Sequence, residues 1–214
     1  MKITVFGANG AIGSALIDIA LKKGDTVNAF VRNASRFNQS HENLNVFVGD
    51  TQNPDELLEA IKGQDVVISA MGPSLKRVRH DTDLPIKTSH EKIVEIMKEV
   101  GVKRFITIGT TAIKAKEDKK QMVTVIPPMI AKLAFPRAYA EVTGLGEVVK
   151  HSGLDWTIVR FLNPNMKTDG KGYDVSFGDT KGKLNASRKN IAQAMYDAIK
   201  KEDWIGKMPI IFNK

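Results

Sequence analysis

The chain has no cysteine, only two tryptophans and three tyrosines, and no long apolar run. Without cysteine there are no disulfides, no thiolate zinc ligands and no thiol nucleophile. No apolar stretch reaches the ~18 residues that span a bilayer. The opening MKITVFGANG is apolar for too few residues to be a secretion signal, so a cytoplasmic location is expected. Histidine is scarce, and His41, His80, His90 and His151 lie too far apart for metal-ligand spacing; no metal is expected. Acidic residues are the minority charge, 24 against 32 Lys and Arg, for a net +8. That excess is scattered, with Lys119-Lys120 and Lys200-Lys201 beside acids, and reads as solvated surface. Neither a nucleic-acid nor a membrane partner is expected from it.

What is present is alternation. Short β-rich runs are predicted at 2–6, 26–32, 45–48, 65–70, 104–109 and 156–161, with helices at 54–62, 89–100 and 139–151. A further helix follows the first strand: Ile12, Leu16, Ile19 and Ala20 share one face, and Gly24 stops it behind Lys22-Lys23. Strand–helix alternation with right-handed crossovers predicts an α/β fold, a Rossmann-type doubly wound parallel sheet in three αβα layers. At 214 residues the chain suits a single domain, 1–214. Residues 111–138 read as a long insertion, expected as a lid, and 163–185 as a small C-terminal substrate lobe. A helix is expected over 185–201 and a final edge strand over 209–212.

Gly7-Ala8-Asn9-Gly10-Ala11-Ile12-Gly13 stands where the first strand meets the first helix. Gly7 permits the tight turn, Gly10 lets backbone approach a pyrophosphate, and Gly13 lets the helix pack on the sheet. The amides of a helix N-terminus then face the anion. After the second strand comes Val31-Arg32-Asn33-Ala34-Ser35-Arg36, with no acid before Glu42. A ribose 2′-hydroxyl asks for an acid there and a 2′-phosphate for arginine, so Arg32, Arg36 and Ser35 favour NADP(H) over NAD(H).

The GxxGxxG spacing resembles the extended and atypical branches of the short-chain dehydrogenase/reductase superfamily. The resemblance covers almost the whole chain through GANGAIG, VRNASR, Gly63–Ile68, Gly101–Ile106 and His151–Arg160. These segments resemble the atypical NAD(P)H-binding reductases that include biliverdin-IXβ/flavin reductase and, more distantly, the NmrA-like redox sensors. The resemblance implies adenine-edge contacts at Asp50 and Thr51, and cofactor backbone contacts at Ala70, Met71 and Gly72. It also implies a reacting end near Thr110, Thr111, Tyr139, Phe161 and Asn163.

In the superfamily's usual chemistry a tyrosine donates a proton and a lysine four residues on assists it. Here Tyr139 is followed by Thr143, and the histidine that biliverdin-IXβ/flavin reductases carry after the sixth strand is replaced by Phe161-Leu162-Asn163. Such reductases instead rely on holding reduced nicotinamide against a flat conjugated acceptor. The structural alternatives for Thr111 and Tyr139 are a strand cap and a half-buried aromatic. The expected activity is reduction of a small flavin-, quinone-, azo- or tetrapyrrole-type acceptor by a monomer or homodimer. The rival expectations are a non-catalytic NmrA-like NADP(H) sensor and, behind it, a nucleotide-sugar epimerase or dehydratase. Lys76, Arg77, Arg79 and His80 are candidate contacts for an anionic group, or else a solvated loop.

Overall fold

The computed structural model describes residues 1–73, 83–167 and 170–214. Six parallel strands run in the order β3-β2-β1-β4-β5-β6: β1 (Lys2–Phe6), β2 (Thr26–Val31), β3 (Leu44–Val48), β4 (Val66–Ser69), β5 (Arg104–Gly109) and β6 (Asp155–Arg160). The strand order reverses between β1 and β4, so the crevice of a doubly wound sheet opens at their carboxyl ends. Val66, Val67 and Ile68 are all buried, as a strand covered on both faces requires.

Helices α1 (Ala11–Lys22) and α6 (Arg188–Ala198) cover one face, where Leu16, Ile17 and Ala20 meet Ile191 and Met195. Helices α2 (Pro54–Ile61), α3 (Pro85–Glu99) and α5 (Pro136–Lys150) cover the other through Leu57, Ile93, Met97 and Leu145. The Rossmann-type three-layer arrangement is therefore present. Among the described residues no helix is long and apolar enough to cross a membrane.

The structure departs from the sequence expectation mainly after β5. The 111–138 stretch is not an irregular insertion: it contains α4 (Met122–Ala134), which packs on α5. Pro127 and Pro128 lie inside α4, where proline normally breaks a helix. Pro128 has no amide hydrogen for the Thr124 carbonyl one turn back, and Lys114 Nζ donates to that carbonyl instead, at 2.5 Å.

Two helices start earlier than the periodicity indicated, α3 at Pro85 and α5 at Pro136, each with proline in its first turn. The buried Glu141 carboxylate of α5 accepts from the Ile86 and Lys87 amides, so α5 caps α3. In the last third, Asn185–Ser187 is strand β9, not helix, pairing with β7 (Asn163–Asn165) in a separate ribbon. The terminal strand β10 (Ile210–Asn213) lies inside the sheet beside β6. The edge belongs to the antiparallel β8 (Tyr173–Ser176), drawn from a Gly- and Lys-rich stretch without a strand signal.

Candidate functional site

The turn from β1 to α1 is closed by Gly10 N–H donating to the Gly7 carbonyl at 2.9 Å. Gly7 has φ +75°, and a Cβ there would come within 2.9 Å of Met71 N. A Cβ on Gly13 would lie 2.3 Å from the Gly7 carbonyl oxygen, so both positions exclude any side chain. No side chain caps α1 and no acid occupies its first turn, whereas Asn53 and Ser187 cap α2 and α6. The opening of α1 thus presents its positive end at the sheet crevice, with Asn9, Gly10 and Ala11 exposed and Ile12 partly buried against the core.

Asn9 reaches from this turn to the loop after β2, donating Nδ2–H to the Asn33 carbonyl at 3.3 Å. The Asn33 side-chain oxygen accepts from the Ser35 amide at 2.9 Å and its hydroxyl at 2.8 Å, capping the short 3₁₀ turn Ala34–Arg36. Arg32 and Arg36 are exposed around that turn, and neither has an ion-pair partner among the described residues. Two guanidinium groups and a pinned loop therefore stand next to the glycine turn.

Beyond β4, β5 and β6 lies an apolar cavity of about 250 Å³. Its sheet side is formed by Met71, Gly72, Ile108, Thr110 and Phe161, and its helical side by Ala131 and Phe135 together with Tyr139 and Leu145 of α5. Because Gly7 packs against Ala70 and Met71, the glycine turn and the cavity share a wall.

Tyr139 lines this cavity, half-buried. Thr143, one turn on, donates its hydroxyl to the Tyr139 carbonyl at 2.9 Å, and Lys150 pairs with Glu147, so no lysine of α5 serves the tyrosine. Of the two adjacent threonines, Thr110 lines the cavity. Thr111 is fully buried outside its lining, with no hydrogen-bond partner at Oγ1 among the described residues. Asn163 is likewise outside the lining: its Nδ2 donates to Asn185 Oδ1 at 2.8 Å, while Leu162 and Pro164 face the cavity.

After β3, Asp50 caps its own turn through the Gln52 amide. The Thr51 hydroxyl is buried 2.7 Å from Ser89 Oγ, which donates to the Pro85 carbonyl, so Thr51 is held against α3. Lys76, Arg77, Arg79 and His80 lie outside the described residues.

A family model for NAD(P)H-binding proteins matches residues 7–202. The chain belongs to the NAD(P)H-binding family. This NAD(P)H-binding chain is 24% identical over 205 residues to the uncharacterized protein YwnB of Bacillus subtilis, covering 93% of this chain and 92% of that one. Its fold is shared with a short-chain dehydrogenase/reductase from Veillonella parvula in complex with NADP, at TM-score 0.80 and 19% identity over 99% of this chain and 94% of that one. It is shared also with ChuY, an anaerobillin reductase from Escherichia coli O157:H7, at TM-score 0.79 and 17% identity over 100% and 97% of the two chains.

The residues present fit a dinucleotide, since side chains are excluded at Gly7 and Gly13 and the opening of α1 is uncapped. Asn33, Val142, Leu145 and Arg160 escaped the sequence reading. Asn33, read only as part of a basic loop, organises that loop. Val142 and Leu145 supply cavity wall beside Phe135, which falls in the stretch expected as a lid; their helical spacing with Ala138 was the signal available. Arg160 is fully buried at the end of β6, bonding Asp118 at 2.8 Å and the carbonyls of Met208 and Ile113. That cluster fixes the start of the segment leading to α4.

Proposed function

We propose that this protein is an NADP(H)-dependent oxidoreductase that reduces a small conjugated acceptor of flavin, quinone, azo or tetrapyrrole type. The observation that carries the reading is the wall shared by the glycine turn and the apolar cavity: Gly7 abuts Met71, which lines the cavity. Bound there, reduced nicotinamide supplies a hydride to the acceptor, which gains two electrons and one further proton.

The chain's own groups have distinct parts. The turn Gly7 to Ile12 holds the diphosphate with main-chain amides, and Arg32, Arg36 and Ser35 recognise the 2′-phosphate. Asp50 and Thr51 flank the adenine, and Ala70, Met71 and Gly72 border the path to the reacting end at Thr110 and Phe161, while Asn163, bonded to Asn185 outside the lining, holds the following ribbon. The cavity excludes water and stacks a flat apolar acceptor between Phe161 and the α4–α5 wall. Tyr139 offers its hydroxyl to the acceptor, and Thr111 supports Thr110 from behind. Helix α4 acts as the lid within a single domain, and 163–185 supplies the rest of the acceptor's lobe through Pro164.

The test is NADPH oxidation with a panel of flavins, quinones and azo compounds. Arg32→Ala with Arg36→Ala should weaken NADPH about tenfold or more while leaving NADH nearly unchanged. Equal losses for both coenzymes would remove the 2′-phosphate assignment. A second reading, a non-catalytic NADP(H) sensor, is favoured by one observation, the Thr143 hydroxyl standing where a catalytic lysine would be. Tight NADPH binding without oxidation of any acceptor would select it.

A further inference from the structure

Helix α4 has two apolar faces. The inner one buries Val123 and Pro128 and adds Ala131 to the cavity wall. The outer one carries Met122, Val125, Ile126, Met129, Ile130 and Leu133, at i, i+3, i+4, i+7, i+8 and i+11, all exposed, Leu133 to 78%. An unbroken stripe of six large apolar side chains in water is unlike the single scattered residues of ordinary surfaces.

Within the α4 segment the charge is of one sign. No acidic residue occurs from 119 to 140, while Lys119, Lys120 and Lys132 are exposed there. At the N-terminal end of α4 a second groove brings Lys119 and Lys120 beside Lys181 and Lys183, with Met122 and Leu184 between them. None of these four ammonium groups has a carboxylate partner among the described residues, and Asp179 is the single acid lining that groove. The nearest upstream acids are already engaged, Asp118 with Arg160 and Glu117 with Lys207.

We infer that the outer face of α4 docks on an anionic lipid bilayer surface, its apolar stripe entering the headgroup boundary and the lysines meeting lipid phosphates. Charge complementarity selects this occupant. A symmetric contact between two copies would set the same cations of each α4 face to face, with no acid in the segment to offset them. A helix with a Met/Val/Ile/Leu stripe bordered by lysine, too short to span, has the form of one lying in the interface plane. Because Ala131 of the same helix lines the cavity, docking would bring the acceptor site close to apolar molecules dissolved in the bilayer.

The full-length protein is sedimented with vesicles of equal parts phosphatidylglycerol and phosphatidylcholine, and with phosphatidylcholine alone, without coenzyme or acceptor. The expected result is binding to the mixed vesicles, about tenfold weaker to the neutral ones and falling as salt rises. Met129→Asp with Leu133→Asp, at exposed positions, should abolish binding with an unchanged melting temperature. Lys119→Glu with Lys120→Glu should reduce it about tenfold. The inference is overturned if the unaltered protein stays in the supernatant at low salt, or if the aspartate variant binds as well as the parent. It is overturned too if the parent is a dimer that the aspartate variant splits, which assigns the stripe to a second copy. Since no turnover is read, these outcomes are independent of the proposed activity.

Discussion

Asn9 Nδ2 donates to the Asn33 carbonyl across 24 positions of sequence, at 3.3 Å, joining the glycine turn to the arginine loop. One side chain thereby ties the glycine turn to the loop that carries the two guanidinium groups. Asn9→Ala should weaken NADPH binding about five- to tenfold, the worth of one such bond, with little change in melting temperature. Titration calorimetry reads both coenzymes; on the proposed 2′-phosphate role of the arginine loop, NADH should lose less.

The packing at Gly13 leaves no room. Gly13→Ala would set a methyl against the Gly7 carbonyl at 2.3 Å, forcing the turn open. A loss of about 1–3 kcal/mol in unfolding free energy is expected, with a large rise in the dissociation constant for NADPH. Gly10→Ala, whose Cβ would meet the same oxygen at 3.2 Å, should cost clearly less in stability. Denaturant titration of the two variants measures the difference.

Tyr139 has no lysine one turn on, since Thr143 occupies the position and bonds back to the helix. With an acceptor that is already a good electrophile, such as a flavin, Tyr139→Phe should lower kcat less than about tenfold. A true general acid would forfeit about a hundredfold or more. Steady-state rates across a pH series separate the two cases.

Thr111 Oγ1 is buried with no partner among the described residues, a desolvated hydroxyl with nothing gained in return. Thr111→Val keeps the shape and removes that oxygen. An increase in stability of about 1 kcal/mol is expected, seen as a higher melting temperature. A fall in turnover with that stabilisation would show the hydroxyl to be held for the reaction.

His90 is fully buried between α3 and β5, its Nδ1 donating to the Ile86 carbonyl at 2.7 Å while Nε2 accepts from Thr107 Oγ1 at 3.0 Å. Desolvation outweighs the Ile86 bond and lowers its pKa from 6.5 to about 4. Between these values the unfolded chain takes up the proton before the folded one does. The contribution to stability is therefore complete above pH 6.5 and lost as pH falls toward about 4, on the order of 3 kcal/mol in all. Urea titrations across this range should show the decline, and His90→Gln should flatten it.

The parallel sheet was legible because its strands are short apolar runs and the turns from α1, α2, α3 and α5 into the next strand carry Gly24, Gly63, Gly101 and Gly153. The cradle was legible for the same local reason: Gly7, Gly10 and Gly13 act within one turn. What was hidden depends on partners distant in sequence. The helix α4 within the 111–138 stretch was not legible, because its Thr124 carbonyl, left without a donor by Pro128, is met by Lys114 from the preceding stretch. The true start of α3 rests on Glu141, more than fifty residues away. Thr110 and Thr111 are indistinguishable as neighbours in a string; the end of β5 puts one on the cavity and the other in the interior.

Arg160, clamped by the Asp118 carboxylate and by the carbonyls of Ile113 and Met208, anchors the stretch before α4 to the sheet. On the proposed function, this anchor holds the base of the lid independently of the loop that carries Arg32 and Arg36. If α4 is the lid proposed above, residues after Gln121 should tolerate exchange for others that admit a differently shaped guest, because Ile113 and Asp118 stay tied to Arg160 at the end of β6.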